Sequence, residues 1–320
     1  TPLASATQIV SWEYDQIRPG IAYSSQSDRY LVVWEDHHWG FGDDWDIYGR
    51  YIGSNGVPLG SHFSISWEGN QHRLVPAVVN NSTSGEFLVV WEYEFSSTDH
   101  DIYAQRVSSD GNLIGSEILI TNLTNFESNP AVAYNSINNE YLIVWEHLIE
   151  GHRHGIYGRR IAANGMPLGE IIFIDTSSPW IATFLADYDA LAPAVAYSPL
   201  ANQYMVVWQD KYPEKIDYDI TGRWVGNDGS LMEGEIPIST WEYDQVKPHL
   251  AFNSTRGDFL VVWEDHHWGW GDDWDIYGQR VKPDGTLVGS NFSVSWDGAS
   301  HRERPAVAFH PAINEYLVTW

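Results

Sequence analysis

One apolar run ending in Trp occurs six times in this chain. It reads Tyr30-Leu31-Val32-Val33-Trp34 on first appearance and returns at 87–91, 141–145, 204–208, 259–263 and 316–320. Successive Trp residues are 57, 54, 63, 55 and 57 positions apart. A second run, Pro130-Ala131-Val132-Ala133-Tyr134 in its cleanest form, begins at Pro19, Pro76, Pro130, Pro193, Pro248 and Pro305, with the same five spacings. Two series that move together mark a structural unit, and a period near 55 residues is that of a repeat architecture.

Each full unit carries four strand-like pieces. The Pro-Ala-Val-Ala-Tyr run is the first and the Trp-ended run the second. The third is of the type Asp275-Ile276-Tyr277-Gly278-Gln279-Arg280-Val281, and the fourth of the type Phe63-Ser64-Ile65-Ser66. All are short and rich in β-branched and aromatic residues, with turn residues between them. Asn55-Gly56, Asp110-Gly111, Asn164-Gly165, Asp228-Gly229 and Asp284-Gly285 supply the tight turns between pieces three and four. The second piece is apolar at every position, so both of its faces are buried. The first is small-residued, as suits a crowded axis. The fold class expected is all-β: a β-propeller of four-stranded antiparallel blades. A two-sheet sandwich would leave one face of each strand polar and would not explain the period. The one helical candidate is 180–191.

Five units are complete, and the sixth stops after its second piece at Trp320. Ile9-Val10-Ser11-Trp12 matches Ser64-Ile65-Ser66-Trp67, so residues 1–18 are expected to give the sixth blade an outer strand. Six blades in a single 1–320 domain are favoured. A tandem four-bladed arrangement is the alternative, because Trp-Glu-Tyr-Asp-Gln at 12 returns at 241, an offset of four units.

Lys and Arg number 17 against 43 Asp and Glu, a net charge of −26, which argues against a nucleic-acid partner. No apolar run is long enough to insert in a membrane, and the N-terminal residues lack the features of a signal peptide. With no Cys, disulfides, thiolate metal sites and thiol catalysis are excluded.

Leu-Val-Val-Trp-Glu-Asp, then Asp-Ile-Tyr-Gly-Gln-Arg-Val, then Asp-Gly resembles the repeats of large extracellular and surface proteins of bacteria and archaea. That resemblance implies propeller blades and a location outside the cell or at its surface, in repeats with no assigned catalytic activity. The function expected from it is a non-enzymatic scaffold or adhesion module within a repetitive or filament-like assembly, with other copies or neighbouring repeats as partners; the alternatives are a carbohydrate-binding, lectin-like propeller that uses its Trp-rich loops and, behind it, a glycoside hydrolase or lyase.

The densest polar cluster lies between the second and third pieces. In unit one it comprises Glu35, Asp36, His37, His38, Asp43, Asp44 and Asp46; in unit five, Glu264, Asp265, His266, His267, Asp272, Asp273 and Asp275. Carboxylates suit Ca²⁺, the one cofactor considered, and His with Asp suits Zn²⁺ or Mn²⁺, although no established ligand spacing is met. The aromatic residues Trp39, Phe41, Trp45, Trp268, Trp270 and Trp274 in the same loops could stack on glycans or simply pack the loop. Glu35, Glu92, Glu146 and Glu264 follow the strand Trp. They could serve glycoside hydrolysis, but recurrence favours a structural pairing with Arg106, Arg160 and Arg280. An insertion within 175–191 carries Trp180, Ile181, Phe184 and Leu185, candidates for a contact surface. Sequons stand at Asn80, Asn81, Asn122, Asn253 and Asn291, glycan acceptors if the protein is exported.

Overall fold

The computed structural model describes residues 6–39, 43–150, 153–175, 188–212, 215–268, 272–295 and 300–320. The first blade is β1 (Gln16–Ser24), β2 (Arg29–Trp39), β3 (Asp43–Gly53) and β4 (Pro58–Ser66). The second is β5 (Arg73–Asn80), β6 (Phe87–Ser96), β7 (Asp99–Val107) and β8 (Leu113–Leu119). The third is β9 (Glu127–Asn135), β10 (Glu140–Glu150), β11 (Arg153–Ala162) and β12 (Pro167–Phe173). The fourth is β13 (Asp189–Ser198), β14 (Gln203–Lys211), β15 (Asp219–Gly226) and β16 (Ile236–Ser239). The fifth is β17 (Gln245–Asn253), β18 (Asp258–Trp268), β19 (Asp272–Val281) and β20 (Leu287–Ser295). A two-stranded sixth sheet, β21 (Ala306–His310) and β22 (Glu315–Thr319), follows. Every sheet is an antiparallel meander, as expected of propeller blades.

Between the third and fourth strands, Gly56, Gly111, Gly165, Gly229 and Gly285 take φ of 78–93°, the left-handed conformation that the Asn-Gly and Asp-Gly pairs supply.

The core lies between blades. Leu31 and Val33 of β2 pack on Phe87, Val89 and Trp91 of β6. The alternate residues of β6, Leu88 and Val90, meet Tyr141, Ile143 and Trp145 of β10. Successive side chains of a strand point to opposite faces, so a strand with a neighbour on each side must be apolar throughout. That is why the Trp-ended runs do not alternate.

Two sequence expectations are corrected. Residues 9–12 form no strand; Trp12 instead lies edge-on to Tyr48 of the first blade, with ring centroids 5.1 Å apart. Of the expected helix at 180–191, the stretch 180–187 lies outside the described residues, and Asp189 to Leu191 open β13. Among the described residues no helix is present.

Candidate functional site

All six first strands carry the same irregularity before the repeat proline. Arg18, Val75, Asn129, Ala192, Lys247 and Arg304 each precede a Pro and take φ of 49–57°. Where the strand pairing extends across this point, its register shifts. A left-handed residue with a Cβ costs about 1 kcal/mol or more and persists only where neighbours enforce it. The enforcing group comes from the preceding blade. The Glu or Gln that follows the strand Trp accepts the N–H of this residue: Glu35 from Val75, Glu146 from Ala192, Gln209 from Lys247 and Glu264 from Arg304. In three blades the side chain of the pre-proline residue also reaches the Glu of its own blade: Arg18 to Glu35 at 2.9 Å, Asn129 to Glu146 at 2.9 Å and Lys247 to Glu264 at 3.0 Å. These side chains therefore latch the first, third, fourth and fifth blades each to the blade that follows. Their partners are not Arg106, Arg160 and Arg280, which pair instead with Glu86, Glu140 and Asp258 of their own blades.

The first strands enclose a hub cavity of about 660 Å³, whose lining includes Glu146, Gln209, Lys247, His249 and Arg304. Glu146 is the carboxyl in that lining. Where Glu35 and Glu264 take a cation, Glu146 takes neutral donors: Asn129 Nδ2 and the Ala192 N–H on Oε1, and Ser128 Oγ at 2.9 Å on Oε2. It is 4% exposed, and burial pushes its pKa up against the pull of those donors. A Ser hydroxyl can donate or accept. Oε2 can therefore carry a proton and donate it to Ser128 with every other bond intact.

The junction between blades two and three departs from the others in a second way. At the first junction Asp46 of β3 meets Arg73 of β5, and at the fifth Asp275 of β19 meets Arg302, both inside the protein. The equivalent pair at the second junction is Asp101 and Glu127, two buried carboxyls hydrogen-bonded to each other. His147 lies 2.6 Å from Glu127 through Nδ1, and its own pKa is pushed down to about 4 by burial. Burial lifts Asp101 to about 7 and Glu127 to about 8, so the pair holds a proton near neutrality. Two carboxyls in direct contact leave no room between them for an anomeric carbon, so this pair is not a hydrolytic one.

A pH dependence follows. Unfolded carboxyls release their protons near pH 4, whereas the native pair keeps one up to about pH 8. The native state binds more protons across that window, so stability is full below pH 4 and falls as pH rises towards 8. Gln at position 127 can donate to Asp101 and accept from His147 with no proton to hold. Glu127→Gln is expected to stabilise the protein by about 2 kcal/mol, or ~4 °C in Tm, at pH 8 and by almost nothing at pH 4. Thermal melts of both proteins across this range check it; a constant difference would refute the shared proton.

The other candidates separate as follows. Asp36 and Asp265 accept the indole N–H of Trp34 and Trp263, at 2.9 and 3.0 Å. His37 packs on Trp45 with centroids 4.8 Å apart, and His266 on Trp274 at 4.9 Å, so these rings pack within their own hairpins. Asp44 is buried and Asp273 half-buried. Among the described residues no group of three metal-capable side chains converges. The side chains of His38, Trp39, Asp43, His267, Trp268 and Asp272, and the whole of Phe41, Trp270, Trp180, Ile181, Phe184 and Leu185, lie outside the described residues. Of the sequons, Asn122 is exposed, Asn80 half-buried, and Asn291 donates to Ser239. Asn81 and Asn253 are corrected: both are fully buried. Their Oδ1 atoms accept two backbone N–H groups of a turn, and their Nδ2 atoms donate to Asn139 and Asn314, which leaves no amide free for a glycan. Ser128, Asn129, Gln209, Lys247, His249 and Arg304 were not singled out by sequence; the signal was the variable residue before each repeat proline.

No family model and no curated protein sequence matches the chain. Its fold is shared with solved structures at low identity. A Dyadobacter fermentans protein described as of unknown function superposes with a TM-score of 0.59 at 10% identity, over 91% of this chain and 86% of its own. An α-L-arabinofuranosidase from Lactobacillus brevis gives 0.51 at 13%, over 88% and 96%. An exo-1,5-α-L-arabinanase from a bovine ruminal metagenomic library gives 0.50 at 10%, over 86% and 96%. This corrects the expectation of a non-enzymatic scaffold or adhesion module. Structures with this architecture include enzymes named for cleaving arabinose-containing glycans, so a ring of near-equivalent blades is no argument against catalysis. Nor is the ring uniform, since Glu146 and the Asp101–Glu127 pair both break its symmetry.

Proposed function

We propose that the protein is carbohydrate-active, with the hub cavity as its sugar site and hydrolysis of a glycosidic bond as its reaction. The observation that carries the reading is Glu146: a buried carboxyl with a raised pKa, facing a cavity and lacking the cation its ring equivalents hold. A carboxyl whose surroundings raise its pKa suits the role of proton donor to a leaving glycosidic oxygen. Hydrolysis also requires a second carboxylate; Glu35 and Glu264, at the equivalent positions of the first and fifth blades and beside the cavity residues Val75 and Arg304, whose N–H groups they accept, are the candidates for it, although they are not themselves in the lining. The fold likeness to an arabinofuranosidase and an exo-arabinanase supports the same reading. The test is to incubate the protein with arabino-, xylo-, gluco- and galacto-oligosaccharides and follow new reducing ends. Release from at least one of them, reduced in both Glu146→Gln and one of Glu35→Gln or Glu264→Gln, is the expected result. Turnover that survives Glu146→Gln, or none across the panel, would refute it.

A further inference from the structure

A Trp that leads into a blade can close onto the third strand of that blade. Trp12 is edge-on to Tyr48 of β3 at 5.1 Å and 77°, and Trp241 is edge-on to Tyr277 of β19 at 5.4 Å and 74°. Trp67, which follows β4, has Tyr103 of β7 as its equivalent partner and does not meet it. The reason lies in β6. Two residues after the strand Trp, β2 and β18 carry Asp36 and Asp265, which turn in to the indole N–H. The residue of β6 at this place is Tyr93, which packs on Tyr103 at 5.1 Å, with Phe95 beside both. Tyr93 and Phe95, and not Trp67, are the rings that pack on Tyr103. Trp67 is 47% exposed, against 37% for Trp12 and 40% for Trp241, and the cavity among Trp67, Tyr93 and Tyr103, with Glu68, Gln105 and Glu117 also in its lining, is about 520 Å³, against about 270 Å³ at Trp12.

We propose that this open aromatic clamp between blades one and two is a second saccharide-binding site, separate from the hub. Trp and Tyr faces match the apolar faces of a sugar ring. Exposed carboxylates at its edge, Glu68 and Glu117, accept bonds from ring hydroxyls, and charge-assisted bonds of that kind are the stronger ones. The volume takes one or two sugar residues, and a concave site that mixes aromatic walls with a few polar groups is the usual form of a small-ligand pocket. A polar, hydroxyl-rich ring satisfies both walls and rim; a purely apolar ligand would strand the carboxylates.

The site stands whether or not the hub is catalytic, and its test is kept apart from activity. Binding of soluble arabinan, xylan, β-glucan and galactan is measured by affinity electrophoresis and calorimetry on the Glu146→Gln protein, so that no probe is consumed. Trp67→Ala in that background is expected to weaken binding of the retained polysaccharide by 10-fold or more, with Trp67→Tyr recovering most of it. Trp12→Ala, which removes the Trp at the equivalent but smaller cavity, is the control and is expected to change binding less than 3-fold. Equal losses in Trp12→Ala and Trp67→Ala, a loss below 3-fold in Trp67→Ala, or no polysaccharide retained at all would each overturn the proposal. Competition by an aromatic peptide but by no saccharide would overturn it in favour of a protein ligand.

Discussion

Replacing Arg73 with Met costs the protein about 3–5 kcal/mol of unfolding free energy, roughly 6–10 °C in Tm. Arg73 is 1% exposed. Its guanidinium pairs with Asp46 at 3.4 Å, donates to Ser66 Oγ and to the Gln71 carbonyl at 2.9 Å, reaches the Glu68 carbonyl, and lies 5.1 Å from the Tyr93 ring centroid. Methionine fills the stem volume but takes the guanidinium charge away from Asp46, which is only 6% exposed. Breaking one side of a buried pair is far more costly than removing both sides. Asp46→Asn added to Arg73→Met is therefore expected to restore at least half of the loss. Urea unfolding of the three variants measures it. A loss below 1 kcal/mol in the single variant, or no recovery in the double, would show that the pair does not hold the first junction. Arg302 and Asp275, 2.9 Å apart, should behave alike at the fifth.

The second large effect tests the proposed hydrolysis. Glu146→Gln is expected to lower kcat by 10²- to 10⁴-fold, the usual worth of a positioned proton donor, and to leave KM within a few-fold. The fold should survive it. The amide oxygen can take the Ala192 and Asn129 donors, the amide nitrogen can donate to Ser128, and Gln209 already fills the equivalent place in blade four and accepts the Lys247 N–H. The pH profile carries the finer signature. Burial raises the Glu146 pKa, so activity should hold on the acid side and fall as the carboxyl ionises at higher pH. The residual rate of the Gln variant should lose that fall. An unchanged alkaline limb would assign the proton to another group.

The blades were legible because the repeat is a packing signal. A strand with a sheet on either side cannot alternate, and six Trp-ended runs reported that. The junction chemistry was not legible. Asp46 and Arg73 are 27 positions apart and Glu35 and Val75 are 40, on different blades, so neither pairing leaves a local trace in the chain. The recurring Glu looked as if it should meet the recurring Arg of the third strand. Antiparallel pairing instead brings that Arg to the acid at the start of the second strand, as with Arg280 and Asp258. The sequons at Asn81 and Asn253 misled for a related reason. Asn-x-Ser/Thr is also what a tight Asx turn uses, and it is the next blade that buries it. Trp12 kept its motif role against Tyr48 although the residues before it form no strand, since β22 pairs with β21 alone among the described strands.

The contacts at the blade junctions share a geometry but differ in charge, and this gives the chain a reading order. Excising blade two and rejoining the rest would set Asp46 against Glu127, repeating the proton-sharing pair. Excising blade three would confront Asp101 with Ala190 and bury a carboxylate facing a methyl group. Blades that look interchangeable by backbone are therefore not interchangeable parts: shuffled versions of this protein should sort into viable and non-viable permutations by the sign of the side chains that become neighbours.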